Sequence, residues 1–147
     1  MPHFLLASTP QGAIVQAAVM VSTARRQALT DAGEPIPEPQ YIVAVLDTGA
    51  TISAVDPAVL AVLGLTATGK AEITTPSTQG VPVIADTFDV CIGILAGRAG
   101  DAHFISETIQ VTASVLAGGL QALIGTDILN KCIFTFNGAD RCFTLAW

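Results

Sequence analysis

The feature that most constrains the fold of this chain is the apolar run at 41–46 (YIVAVL), which ends at an acid, Asp47. Consecutive apolar residues of this length are typical of a strand that is covered on both faces and lies inside a sheet. A threonine and a glycine follow the acid, and the chain becomes apolar again at Ile52. An ionisable side chain at the end of a buried strand needs either a local structural partner or a function.

Short β-favouring runs separated by turn residues recur along the rest of the chain, and each predicts a strand or a hairpin. The segment 71–95 predicts a long hairpin with its tip at 76–80, because two strand-like arms flank a Pro-Ser-Thr-Gln-Gly turn. Further strands are predicted within 12–22, 105–115 and 118–124.

Helical signals are few and short. Residues 56–65 predict a short helix with Asp56 as its N-cap, and a helical turn is expected after Gly125. Residues 132–147 predict a closing hairpin in which Phe136 faces Arg141. Many short strands with one or two brief helices predict an all-β protein that forms a closed barrel or sandwich.

The length and composition predict one domain that associates with other copies. The chain has 147 residues, of which 51% are hydrophobic and 12% are charged. A chain of this size cannot hide so much apolar surface in its own core, so a large subunit interface is expected. We therefore expect a single domain over 1–147, with the polar, Pro-rich segment 23–40 as a mobile connection.

Several classes of function are disfavoured by the charge and by the residue types. The net charge of −6 argues against a nucleic-acid partner, and no apolar run approaches the roughly 20 residues of a membrane span. Two histidines and three dispersed cysteines argue against a metal site or a histidine-based triad, so no metal and no cofactor are expected. The cysteines indicate buried, reduced thiols, which favours a cytoplasmic location.

The strand 41–46 followed by Asp47-Thr48-Gly49-Ala50 resembles the active-site signature of the aspartic peptidases. Ala50 is typical of the retroviral-type, single-domain branch, the retropepsins. Two further segments match that family in the expected order: the hairpin 73–90 stands where the family has its flap, and 122–129 (ALIGTDIL) matches its apolar-Gly-x-Asp-apolar-Leu segment. The resemblance covers the chain from about residue 12 to its end, and it implies a closed acid-protease barrel with a flap hairpin.

The resemblance also implies an activity and the residues that carry it. It implies an aspartic endopeptidase in which two chains form a homodimer, each contributing one Asp47, and in which the two carboxylates activate water to hydrolyse a polypeptide substrate. Thr48 reaches across the interface in that family, and Gly49 lets the backbone approach the carboxylate. Substrate-binding positions implied by the resemblance are Ala50, Thr75, Pro76, Ser77, Thr78, Gln79 and Gly80. The sequence departs from the viral enzymes at Thr126, where they commonly carry arginine.

Three alternatives remain open at the level of the sequence. Asp47 can be a structural residue that closes an Asx-turn onto the following amides. The fold can serve as a non-catalytic peptide-binding module or as a dimerisation domain, for which the apolar composition suffices. Asp127, a candidate second acid, is more simply interpreted as the cap of the short helix that follows Gly125.

Overall fold

The computed structural model describes residues 1–75, 78–98 and 100–147, and in that part of the chain it contains eleven strands and three helices. In chain order they are β1 (His3–Ala7), β2 (Ala13–Val21), α1 (Thr23–Ala32), β3 (Gln40–Leu46), β4 (Ala54–Val55), α2 (Pro57–Val62), β5 (Gly69–Ile73), β6 (Val83–Ile94), β7 (Phe104–Ile105), β8 (Ile109–Ala113), β9 (Ala122–Ile124), α3 (Thr126–Leu129), β10 (Ile133–Asn137) and β11 (Cys142–Ala146).

A closed ring of strands forms the body of the molecule. Its order is β2-β3-β9-β4-β8-β6, and β6 pairs with β2 to complete the circle. Closure is possible because β6 is long: its first part pairs with β5, its middle with β8 and its last part with β2. The prediction of an all-β protein with a closed barrel is confirmed. A closed ring leaves no unpaired edge among its own strands.

The apolar run at 41–46 forms β3, which lies between antiparallel β2 and parallel β9 as an interior strand. The prediction that both faces are covered is wrong in part. Ile42, Ala44 and Leu46 are buried in the core, whereas Val43 and Val45 are half-buried and Tyr41 is exposed. The second face of β3 is therefore only partly covered by the chain itself.

A second, three-stranded sheet brings the two ends of the chain together in the order β1-β11-β10. Its inner face carries Phe4, which packs edge-to-face against Phe143 and Trp147 with ring centroids 6.4 and 5.9 Å apart. Phe143 is fully buried. We call this the terminal sheet. The sequence did not predict β1, because a five-residue strand paired with the far end of the chain has no local signal.

The closing hairpin has a different register from the predicted one. Phe136 faces Phe143, not Arg141, and Asn137 is the last strand residue, opposite Cys142. The turn begins later because the Asn137 side-chain oxygen accepts the backbone N–H of Asp140 (3.1 Å) and Arg141 adopts a left-handed conformation with φ of 51°. Side-chain hydrogen bonding by Asn137 thus shifts the pairing by two residues.

The segment predicted as a mobile connection contains a helix that the sequence did not predict. Ser22 caps α1 by accepting the N–H of Arg25 (3.1 Å), and Gly33 ends it in a left-handed conformation with φ of 69°. None of its residues is buried. The other two helices, α2 and α3, are the short helices that the sequence predicted. No helix in the described ranges is long and apolar enough to cross a membrane.

We expect the amides of α1 to exchange with solvent by local unfolding, because a ten-residue helix without buried side chains is marginal in water. Protection factors of roughly 10 or less are expected over α1, against near-global protection over β2. Hydrogen exchange followed by mass spectrometry of peptides from 23–33 and 13–21 provides the comparison. Equal protection of the two segments would contradict local unfolding and would mean that α1 is held by contacts outside this chain.

Candidate active site

Asp47 lies immediately beyond β3, at the point where the buried strand leaves the barrel. Its backbone N–H donates to the carbonyl of Ile124 in β9 (2.9 Å), so the parallel pairing of β3 with β9 extends by one bond and fixes the start of the loop. The Asp47 side chain is half-buried, while Thr48 and Gly49 are exposed. The acid therefore lies at the surface of the single chain, on a rigid strand end.

The Asp47 carboxylate is oriented by its own loop. Its Oδ1 accepts the backbone N–H of Gly49 (2.8 Å), and the Asp47 carbonyl accepts the N–H of Ala50 (3.3 Å). A Cβ atom at position 49 would lie only 3.1 Å from Oδ1, so glycine gives the backbone amide room to approach the carboxylate. The other oxygen, Oδ2, accepts no hydrogen bond from any residue in the described ranges. One oxygen is thus held and the other remains available.

The middle of the loop is fixed to the segment that begins α3. The carbonyl of Ala50 accepts both the backbone N–H of Thr126 (2.8 Å) and its hydroxyl (3.2 Å). A Cβ atom at Gly125 would lie 2.8 Å from the same carbonyl, so the two segments touch backbone to backbone. Thr126, the position where the sequence departs from the viral enzymes, therefore supports the active-site loop of its own chain.

The end of the loop is held by a pair of side chains, the buried Ser53 and the half-buried Asp127. The carboxylate of Asp127 accepts the backbone N–H of Ser53 at Oδ2 (2.9 Å) and the Ser53 hydroxyl at Oδ1 (2.7 Å). The Ser53 oxygen in turn accepts the N–H of Gly125 (3.0 Å). Because an ionised carboxylate only accepts hydrogen bonds, the Ser53 hydroxyl donates to Asp127 while its oxygen accepts the Gly125 N–H. Ser53 is fully buried.

These contacts correct the predicted role of Asp127 and reveal a residue that the sequence analysis missed. The N-cap of α3 is Gly125, which makes no side-chain capping bond, and Asp127 lies within the first turn, where it also accepts the N–H of Ile128 (3.1 Å). The sequence analysis did not single out Ser53. The signal that identifies it is a single hydroxyl within the otherwise apolar segment 52–55. Asp127 is a structural carboxylate in α3 that holds the loop carrying Asp47.

The hairpin of β5 and β6 is present as predicted, and its arms pair from Gly69 opposite Thr87 to Ile73 opposite Val83. At the tip, Thr78 donates its backbone N–H (3.0 Å) and its hydroxyl (2.8 Å) to the carbonyl of Thr75. Gln79 and Gly80 then reverse the chain in left-handed conformations. Two of the substrate-binding positions implied by the resemblance, Pro76 and Ser77, lie outside the described residues.

The other candidate nucleophiles and bases of the chain are its cysteines and His103. All three are free thiols, and burial raises the pKa of Cys132, which keeps it in the unreactive thiol form. His103 is engaged in the structure through its Nδ1, which accepts the backbone N–H of Ala96 (3.1 Å). In the described ranges, no three histidine, cysteine or acidic side chains lie close enough together to hold a metal ion. The strand-end acid Asp47 is the group around which a reaction can be built.

Comparison with known proteins identifies a similar fold but does not identify an activity. No protein-family model and no curated protein sequence matches the chain. Among solved structures, a retropepsin-like aspartic protease from Rickettsia conorii matches with a TM-score of 0.52 over 99% of this chain and 90% of that chain, at 15% sequence identity. At that identity the likeness shows the fold alone. The acid-protease barrel that the sequence predicted is confirmed.

We expect the Ser53–Asp127 pair to be needed for the stability of the active-site loop. Every group that faces the Asp127 carboxylate is a donor, so Asp127→Asn turns an amide N–H toward a backbone N–H and should cost about 1–3 kcal/mol in free energy of unfolding. Ser53→Ala leaves the Gly125 N–H buried without its acceptor and should cost a similar amount. Chemical denaturation of the single and double variants measures the coupling, expected at about 0.5–3 kcal/mol.

Asp56→Asn is the matched control for Asp127→Asn. Asp56 caps α2 by accepting the N–H of Ala58 (2.8 Å), a task that asparagine performs equally well, so the same chemical change should be nearly neutral there. Equal losses at positions 56 and 127, or additive effects of Ser53→Ala and Asp127→Asn, would contradict the assignment.

Proposed function

We propose that the chain is an aspartic endopeptidase that works as a homodimer, with one Asp47 from each chain forming the catalytic dyad. Hydrolysis of a peptide bond without a metal needs one group to take a proton from water and another to give a proton to the carbonyl oxygen. Two carboxylates a few ångströms apart do both, because their mutual repulsion keeps one proton shared between them. The titration of such a dyad belongs to the pair and not to either residue.

The observation that carries this proposal is the state of the Asp47 carboxylate. One oxygen is held at 2.8 Å by the Gly49 amide, and the other accepts no bond within the described chain, at the surface-exposed end of a rigid strand. A catalytic carboxylate must be fixed in orientation and still have an oxygen available for water or for a partner acid. Asp127, with three donors on its carboxylate, lacks that freedom.

The need for a second chain follows from the same comparison of the two acids. Each chain offers one free strand-end carboxylate, so two copies must meet with both Asp47 side chains near a two-fold axis. The exposure of Thr48 and Gly49 and the half-covered face of β3 are consistent with that arrangement. In the dimer, the Thr48 hydroxyl bonds across the axis and Gly49 keeps the loop amides close to the dyad.

We further propose that the β5–β6 hairpin acts as a flap over an extended polypeptide substrate. Val81, Val83 and Ile84 are 64%, 48% and 60% exposed on this hairpin, so it presents apolar side chains outside the core. Closing over a substrate removes water from the dyad and supplies backbone hydrogen bonds to an extended chain. The substrate-binding residues are then Ala50 below the substrate, with the tip residues Thr75, Pro76, Ser77, Thr78, Gln79 and Gly80 above it.

A second candidate is a peptide-binding module that does not cut. It is favoured by the Gly49-to-Asp47 hydrogen bond, because an Asx-type turn is a sufficient structural reason for an aspartate at that position. The two candidates make the same fold and the same dimer but differ in one property, an activity that requires the carboxylate of Asp47.

We expect Asp47→Asn to abolish cleavage of a mixed peptide library between about pH 4 and pH 7, with a loss of roughly 10³-fold or more. Asparagine is isosteric and its side-chain oxygen still accepts the Gly49 amide, so the loop should remain folded. Mass spectrometry of the products also reports which side chains flank the cut. Asp31→Asn is the control, since it removes an exposed carboxylate on α1 whose contact is a hydrogen bond from Gln27 Nε2 (2.7 Å), which asparagine can still accept.

A mixed dimer tests the shared dyad directly. Dimers co-purified from one wild-type chain and one chain that carries Asp47→Asn should be inactive, because a single carboxylate cannot both accept and donate a proton. Cleavage that survives Asp47→Asn in both chains would refute the proposal. A wild-type dimer that binds peptides and cuts none of them at any pH would establish the binding module instead.

A further inference from the structure

A groove lies between the first turn of α1 and the connection from α2 to β5. It has a volume of about 480 Å³, which is within the range of small-molecule sites. Its lining consists of Ser22, Ala24 and Arg25 on one side, Gly64, Leu65, Thr66 and Thr68 on the other, and Asp89 of β6. Among the described residues, none of 47–53 lines it. The groove is therefore a place of its own, separate from the candidate active site.

The first wall of the groove, the start of α1, is anchored beside β6. The Thr23 N–H donates to the Thr108 hydroxyl (3.3 Å), and the Thr23 hydroxyl contacts the Sγ of Cys91 (3.9 Å). Cys91 and Asp89 are two residues apart on β6, so their side chains lie on the same face of that strand. The start of α1 is thus held against the face of β6 that carries Asp89.

The second wall, the connection from α2 to β5, is fixed to the same strand. Gly64 ends α2 in a left-handed conformation with φ of 65°, and the Leu65 N–H returns to the carbonyl of Leu60 (3.2 Å). The Thr68 N–H then donates to the carbonyl of Thr87 in β6 (2.8 Å). Both walls are tied to β6, so the groove is built into the barrel and does not depend on a ligand for its shape.

The groove contains one cation and one anion that have no partner in the described chain. The Arg25 side chain is exposed and the Asp89 carboxylate is half-buried. Within the described ranges, the ion pairs join other residues, and neither side chain makes a hydrogen bond. A carboxylate that has lost part of its water needs a partner to offset the cost of burial. Two opposite charges therefore face one groove unpaired.

The stability of α1 gives no reason for arginine at position 25. Arg25 and Arg26 both lie in the first turn of the helix, where there is no acidic residue, and Asp31 lies in the last turn, where there is no basic one. This distribution opposes the helix dipole, which favours anions at the start and cations at the end. A negative group bound beside Arg25 would offset that unfavourable arrangement.

We infer that this groove binds a zwitterion of the α-amino acid class, with its carboxylate on Arg25 and its ammonium group on Asp89. Ala24 and Leu65 then provide apolar contact for an aliphatic side chain, and the hydroxyl of Thr66 lies within the same lining. Two sources present this pair of charged groups, a free amino acid and a short peptide with free ends. The inference does not rest on the proposed peptidase activity.

The charges of the groove disfavour the simpler classes of ligand. An inorganic anion on Arg25 is repelled by Asp89 and by the net charge of −6, and a cation on Asp89 is repelled by Arg25. A neutral ligand leaves both charges without a partner while it removes their water. A ligand with one charge of each sign pairs both and displaces water without that penalty.

An NMR titration of the full-length chain with leucine and with leucyl-leucine tests the site. We expect a dissociation constant of about 1 mM or below for at least one of the two, and the tighter one identifies the source. N-acetyl-leucine lacks the ammonium group, and leucinamide lacks the carboxylate. Each should bind roughly 10-fold more weakly or worse, because each loses one charge-assisted hydrogen bond.

Substitutions in the groove locate the binding. Arg25→Gln and Asp89→Asn should each weaken binding roughly 10-fold or more, and both should fold normally because neither side chain has a partner in the described chain. Arg26→Gln and Asp31→Asn are the matched controls. They make the same chemical changes on α1 at residues that do not line the groove, so they should leave the dissociation constant unchanged.

Hydrogen exchange gives a second readout, at the helix itself. The ligand contacts α1 only in its folded form, so it should slow exchange over 23–33. At about ten times the dissociation constant the slowing should be roughly 10-fold, while exchange over 13–21 should not change. Asp47→Asn should retain both the binding and the slower exchange.

The outcomes separate this inference from the proposed function. The site is overturned if neither leucine nor leucyl-leucine binds at concentrations up to about 10 mM. Equal binding of the singly charged analogues, binding indifferent to Arg25→Gln and Asp89→Asn, or binding without slower exchange over 23–33 would also overturn it. Binding lost in Asp47→Asn would assign the ligand to the candidate active site instead. Binding that requires Arg25 and Asp89, in a protein without cleavage dependent on Asp47, would sustain the site and refute the peptidase.

Discussion

The candidate site depends on the hydrogen bonds that hold its loop, above all those between Ser53 and Asp127. The loop that carries Asp47 leaves the barrel after β3 and returns at β4, and its own sequence is too short and too polar to pack on the core. It is held instead at its start by the Ile124 carbonyl, in its middle by Thr126 and at its end by Asp127. Its three supports come from neighbouring residues at the end of β9 and the start of α3, so one short segment of the chain holds the whole loop.

Two aspartates of the same chain illustrate how surroundings assign roles to identical side chains. Asp127 is surrounded by donors on the Ser53 and Ile128 backbone and the Ser53 hydroxyl, which makes its carboxylate a structural anion. Asp47 receives one amide bond and keeps one oxygen open at the surface. A buried acid without partners would be too costly, and an acid with all its oxygens bonded would be inert. Asp47 lies between these limits.

The parts of the fold that could be predicted from the sequence are those with local causes. The strand β3, the hairpin of β5 and β6, the cap of α2 at Asp56 and the approach of Gly49 to Asp47 all depend on residues that are neighbours in the chain. The parts that were missed depend on distant partners or on a balance of small energies. Strand β1 forms because it pairs with β11. The structural role of Ser53 depends on its hydrogen bond with Asp127, 74 residues later. The closing hairpin shifted by two residues because one side-chain bond at Asn137 outweighed the preference of an Asn-Gly pair for the turn centre.

The sheets of this chain differ in whether they have edge strands and in whether those strands carry charged residues. In the described chain the six strands of the ring each pair with two neighbours, so the ring has no edge strand of its own. The hairpin of β5 and β6 has an edge at β5, and the charged residues Lys70 and Glu72 on that strand protect it from uncontrolled pairing. The terminal sheet has edges with no charge at all. The uncharged edge strands β1 and β10 therefore belong to the sheet formed by the two ends of the chain. Asp47 lies elsewhere, on the loop supported by β9 and α3. Because α3 leads directly into β10, the loop that holds the acid and the sheet that offers an unprotected edge belong to one continuous support.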